Sequence, residues 1–104
     1  MTGTKIDATD ADFATAVLEA SKERPVVVDF WATWCAPCRA LGPILEKVAQ
    51  ERGGAFLLAK VDTDANPMVA GQLGVQSIPT VVAFRDGRPV DGFRSEEYTS
   101  ELQS

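Results

Sequence analysis

The stretch Pro25-Val26-Val27-Val28-Asp29-Phe30-Trp31-Ala32 constrains this chain more than any other. It is β-branched and aromatic, and its apolar residues do not alternate with polar ones; Asp29 alone interrupts them. Such a run reads as a central strand covered on both faces, as in a sheet with helices on each side. The flanking pattern agrees. Asp10 can cap a first helix that carries Phe13, Val17 and Ala20 at helical spacing. A second helix begins around Cys35 and Cys38, presents Leu41, Ile44, Leu45 and Val48, and ends at Gly53-Gly54. Pro43 lies inside it and predicts a kink, since proline removes a hydrogen bond and crowds the preceding turn. Residues 55–61 form a second buried strand, and Asn66-Pro67 starts a short helix through Leu73. Pro79 precedes the strand 80–84, Asp86-Gly87 turns the chain, and Arg88-Pro89-Val90 returns as an antiparallel edge, where a proline is tolerated. Helix-linked strands call for a parallel centre, so the fold class is α/β, with helices on both faces of the sheet. Met68 and the phenylalanines are assigned to the core, Trp31 to the core with an exposed edge, and the acidic helix residues to a solvated face.

The totals exclude several functions. A chain of 104 residues with 45% apolar content suits one domain and one core. Its net charge of −5 argues against nucleic-acid binding, which needs a basic face. No apolar run reaches membrane-spanning length, and Met1-Thr2-Gly3-Thr4-Lys5-Ile6 has no signal-peptide character, so a cytoplasmic, soluble monomer is expected, with no membrane partner. Histidine is absent, which removes Cys-His and Ser-His catalysis and histidine metal sites. Only two cysteines are present, both within four residues, so a disulfide framework is excluded. A closed four-thiolate metal site would need two chains. No metal and no cofactor other than the cysteine pair is expected.

The pair Cys35-Ala36-Pro37-Cys38 sits where a strand gives way to a helix. Positions three apart in a first helical turn lie on one side, so the two sulfurs can meet. Cys35 at the helix start faces unpaired N–H groups and the positive end of the dipole, which favour thiolate, the attacking species in disulfide exchange. Cys38, one turn in and expected to be more buried, is assigned the resolving role. Pro37 stiffens the loop, and Trp34 can shield the sulfurs and offer a partner an apolar surface. Asp29, a carboxylate inside an apolar strand, should be hard to ionise, and a group of that kind can accept the Cys38 proton, through water. Lys60 on the adjacent strand can partner Asp29 and moderate the effect.

The segment from Val28 through Cys38, together with Lys60-Val61-Asp62, Asn66-Pro67, Ile78-Pro79-Thr80 and Phe84-Arg85-Asp86-Gly87, closely resembles the thioredoxin family over roughly residues 5 to 93. The resemblance implies the thioredoxin fold, a central mixed β-sheet flanked by helices, and protein-disulfide reduction with recharging by a thioredoxin reductase. It also implies that Pro79 is cis beside the cysteines and that Asp29 is the family's buried acid, with Lys60 its neighbour. Trp34, Ala36, Ser77 and Ile78 fall on the substrate-binding side, the Ile78 backbone pairing with a bound substrate strand. Ala36 replaces the glycine common in the family. No histidine lies between the cysteines, as it does in oxidase and isomerase relatives, so reduction is favoured.

The resemblance stops at Phe93. Residues 1–93 are read as the thioredoxin domain. Residues 94–104 lack the family's last amphipathic helix, which is expected to be truncated or replaced. They resemble translated read-through of a sequencing adapter, with Tyr98 where histidine is usual, and are read as a non-native tail. The stretches Val75-Gln76-Ser77-Ile78-Pro79-Thr80 and Pro89-Val90-Asp91-Gly92-Phe93 are similar to the thioredoxin domain of chaperedoxins, which carry tetratricopeptide repeats. The alternative function is accordingly a binding domain of a co-chaperone or holdase with secondary redox activity.

Overall fold

A computed structural model of the chain describes residues 3–94, the last four by backbone alone. Apart from the backbone of Arg94, the tail reading of 94–104 lies outside the described residues. Five strands, β1 (Lys5–Asp7), β2 (Val26–Trp31), β3 (Leu57–Asp62), β4 (Thr80–Arg85) and β5 (Arg88–Arg94), form one sheet in the order β1-β3-β2-β4-β5. Among the described residues the α-helices are α1 (Ala36–Glu51) and α2 (Pro67–Gln72).

Strand alternation sorts the sheet's two faces. Val26, Val28 and Phe30 of β2 share one cluster with Leu57, Ala59 and Val61 of β3, Phe84 of β4, Phe13 and Val17 of the first helical segment, and Val69 of α2. Phe13 meets Phe84 edge to face at 5.7 Å between ring centroids. Phe30 and Phe84 are almost wholly buried, worth up to about 3 kcal/mol each relative to exposure. Asp29 of β2 and Lys60 of β3 turn to the opposite face, towards α1.

The sheet is mixed rather than parallel at its centre: β1, β3 and β2 run parallel, but β4 is antiparallel to β2. α2 is only six residues long, and the chain re-enters the sheet at the end where β3 left it, with Thr80 beside Phe30.

Several local expectations change. Asp10 does not cap the first helical segment. Its carboxylate accepts from the N–H groups of Met68 (3.2 Å) and Val69 (2.8 Å), so it caps α2 across the fold. Thr9 and Asp12 close the turn before the first segment reciprocally: Thr9 N–H donates to Asp12 Oδ1 and Asp12 N–H to Thr9 Oγ1. That segment is wound as a π-helix over Ala14–Glu19 and continues as a 3-10 turn over Ala20–Lys22. Ala20 packs against the same cluster as Phe13 and Val17, as expected, and the looser winding also brings in Ser21, which is fully buried. Its hydroxyl donates to Leu18 O and accepts from Gly87 N–H, while its carbonyl accepts from Asp86 N–H and the Arg85 guanidinium. Ser21 thus docks the β4–β5 turn, in which Asp86 and Gly87 both take positive φ (57° and 81°).

In α1 the inward line is Cys38, Gly42 and Ala49, whereas Ile44 is 59% exposed. The sequence pattern placed Ile44 inward; small residues take that line instead, which lets the helix lie close to the sheet. The helix continues through Pro43 as one element. Met68 is likewise exposed, since α2 turns Val69 and Ala70 inward.

Candidate functional site

Cys35 is the N-cap of α1, in extended conformation, with Ala36 and Pro37 as the first two helical residues. A proline there lacks only an N–H that would have no intrahelical acceptor. Cys38 N–H donates to Cys35 Sγ at 3.2 Å. The cysteines are joined as a disulfide with Cα atoms 5.3 Å apart. Sulfur at an N-cap, facing helix N–H groups, is placed to carry negative charge once the bond is reduced. Burial does not separate the two cysteines, contrary to expectation: each is 4% exposed. Their positions on α1, and the N–H bond that Cys35 Sγ accepts, distinguish them.

Ala32, Cys35 and Cys38 form a small cluster against which Trp31 and Ile78 pack. The Ile78–Pro79 peptide is cis, as the resemblance implied, and it is Ile78 that packs on the cysteine cluster. Thr80 Oγ1 donates to Ser77 O and steadies this loop. Beside the disulfide opens a cleft of about 160 Å³ lined by Trp34, Thr63, Ala70, Val75, Gln76, Ser77 and Ile78. Trp34 is 66% exposed, and its indole N–H is held at 2.9 Å by Asp64 Oδ2. Ala36 and Pro37 are exposed on the same loop.

On the α1 side of the sheet, Asp29 is 1% exposed and, among the described residues, neither carboxylate oxygen has a hydrogen-bond partner. Burial pushes its pKa above the ordinary 3.8; attraction to Lys60 opposes the shift and repulsion from Glu46 adds to it. Lys60 stands opposite Asp29 in register, but its ammonium is 4.0 Å from Asp29 Oδ2 and only 3.0 Å from Glu46 Oε2. It also lies 5.4 Å from the Trp31 ring centroid. The expected Asp29–Lys60 pair is therefore shared with a third residue.

Glu46 was counted among the solvated acidic residues; it turns inward instead, its side chain 31% exposed. Its hydrogen bond to Lys60 holds its carboxyl below the usual range. Spacing carries a trace of this, because Glu46 follows Gly42 by four positions and Cys38 by eight on the inward side of α1. Gly42 completes the arrangement: a Cβ there would lie 3.2 Å from Lys60 Nζ. Asp64, the anchor of Trp34, left no local signal. Among the described residues no group of three His, Cys, Asp or Glu is placed to hold a metal ion, and no helix is long and apolar enough to cross a membrane.

Comparison with known proteins places this geometry among relatives. The family model described as Thioredoxin matches residues 4–104. The chain is 53% identical over 85 residues to a thioredoxin of Mycobacterium tuberculosis, covering 82% of this chain and 72% of that one. It is 48% identical over 88 residues to a bifunctional thioredoxin reductase/thioredoxin of Mycobacterium leprae, covering 85% of this chain and 19% of that larger protein. Among solved structures, spinach chloroplast thioredoxin f (long form) superposes with a TM-score of 0.81 at 28% identity, covering 98% of this chain and 84% of that one.

Proposed function

Because the chain belongs to the thioredoxin family and is a thiol–disulfide oxidoreductase, we propose that it reduces disulfides in proteins. The carrying observation is the Cys35–Cys38 disulfide at the start of α1, with Cys35 Sγ accepting from Cys38 N–H. In the reduced protein the Cys35 thiolate attacks one sulfur of a substrate disulfide. A bond forms from Cys35 to that sulfur, and the other substrate sulfur leaves with the electron pair and takes up a proton. Cys38 then loses its proton, through water, to the Asp29 carboxylate and attacks Cys35 Sγ. The mixed disulfide breaks, the second substrate sulfur leaves as thiolate and takes up the proton that Asp29 releases, and the site returns to the disulfide. Two electrons pass from the cysteine pair to the substrate.

The exposed Trp34 and the cleft beside Ser77 and Ile78 suit an extended protein segment next to its cystine. Ala36 and Pro37 on the exposed loop meet the same segment. Lys60 is a structural neighbour of Asp29, and Pro79 shapes the loop that carries Ile78. The relative named as a reductase joined to a thioredoxin supports recharging by a thioredoxin reductase. A turbidimetric insulin-reduction assay tests the reading. The wild-type chain should accelerate reduction strongly, and a rate no higher than that of Cys35→Ser overturns it.

A further inference from the structure

The ammonium of Lys60 is the cation nearest the buried Asp29, yet it is drawn towards a different carboxylate. It donates to Glu46 Oε2 at 3.0 Å and remains 4.0 Å from Asp29 Oδ2, beyond hydrogen-bond distance. Three features keep it there. Glu46 is the acceptor. The ammonium lies over the Trp31 ring, 5.4 Å from its centroid. Gly42 leaves room under α1 that a side chain would take, its notional Cβ being 3.2 Å from Nζ. Lys5 of β1 approaches Glu46 from outside at 3.6 Å and helps to keep its carboxylate ionised.

We propose that Glu46 is a positioning residue for the resolving step, holding the Lys60 ammonium away from Asp29 so that the buried carboxylate keeps its affinity for a proton. This deepens the reading above and rests on Asp29 accepting the Cys38 proton. The charges around Asp29 can be enumerated element by element. Lys60 faces it from β3 and Glu46 from α1, which also carries Cys38. Lys5 acts from β1 through Glu46. On the β4 side its register partner is Val81, which brings no charge. The two influences of Glu46 have the same sign. Its own negative charge disfavours ionisation of Asp29, and its grip on Lys60 weakens the attraction that favours it. Removing Glu46 therefore lets Lys60 close on Asp29 and makes the carboxylate a poorer base.

The test compares Glu46→Gln, Glu46→Asp and Lys60→Gln with wild type. The Asp29 carboxyl is followed by carbon NMR of aspartate-labelled oxidised protein across pH. The resolving step is followed as release of the second thiol from a preformed mixed disulfide. Glu46→Gln is expected to move the Asp29 titration to lower pH and slow resolution at neutral pH about threefold to tenfold, since proton-transfer efficiency follows basicity. Lys60→Gln is expected to move the titration to higher pH, and Glu46→Asp to restore most of the wild-type behaviour. A merely structural loss would not shift the titration in opposite directions for the two partners. An Asp29 titration that stays in place or rises in Glu46→Gln overturns the proposal. If the titration falls while the pH profile of resolution is unchanged, the placement of charge by Glu46 stands and the proton-accepting role of Asp29 fails.

Discussion

Replacing Asp29 with asparagine measures what the fold gives up to keep a carboxyl in its core. Asp29 is 1% exposed, its oxygens have no hydrogen-bond partner, and its nearest cation stands 4.0 Å away while bonded elsewhere. Desolvation therefore outweighs the attraction of Lys60, and the folded pKa rises above 3.8, the value expected of the unfolded chain. Between that value and the folded midpoint the native state holds a proton that the unfolded state has released. The contribution of Asp29 to stability is thus fully present below pH 3.8 and is lost as pH rises through the folded midpoint. The slope in this window reaches about 1.4 kcal/mol per pH unit and vanishes above it. Glu46 has the opposite dependence: Lys60 lowers its pKa, so its contribution is present above 4.5 and lost as pH falls. That dependence is common to wild type and variant. Urea unfolding of both oxidised proteins, from acid to mildly alkaline pH, isolates Asp29 in the difference. Wild type should lose stability relative to Asp29→Asn as pH rises, then run parallel to it. Each kcal/mol corresponds to roughly 4–8 °C in Tm for a domain of this size. A difference that is flat, or that rises with pH, would refute the argument from desolvation.

Four further outcomes are expected. Ser21→Ala removes a buried hydroxyl and leaves Gly87 N–H without its acceptor; the unfolding free energy should fall by about 1–3 kcal/mol, read as a lower urea midpoint at an unchanged m-value. Asp10→Ala uncaps α2 and should cost about 0.5–2 kcal/mol, with faster hydrogen exchange at the Met68 and Val69 amides it now holds. Ile44→Gln should change stability by no more than about 0.5 kcal/mol in thermal unfolding, because this side chain is 59% exposed. Cys38→Ser should leave a mixed disulfide between Cys35 and a protein substrate that survives to mass analysis; turnover at the wild-type rate would remove Cys38 from the resolving role.

Much of the site was legible because its logic is local. Cys35 and Cys38 meet through one helical turn, and the N-cap geometry follows from where the strand ends. Asp29 stood out because a carboxylate interrupts seven residues that otherwise read as covered on both sides. The turn at Asp86-Gly87 was legible for the same reason, two adjacent residues suited to positive φ. Glu46 was not legible. One residue advances a helix by about 100°, so Ile44 and Glu46 lie on nearly opposite sides of α1, and the apolar spacing of Leu41, Ile44, Leu45 and Val48 pointed to the side away from Glu46.

The amino-acid order alone determined the class of fold, the redox pair and the buried acid, because each is written in spacings of a few residues that set local conformation and face. Tertiary structure decided which partners those groups meet. Asp10 caps a helix 58 and 59 positions away, Asp64 anchors Trp34 from 30 away, and Lys60 bonds Glu46 from 14 away. The antiparallel entry of β4 likewise depends on where the connection of residues 63–79 rejoins the sheet, with Thr80 beside Phe30. Periodicity states which side of an element is buried, but a contact between elements depends on strand order, helix rotation and crossover length, and these arise only when the elements pack together.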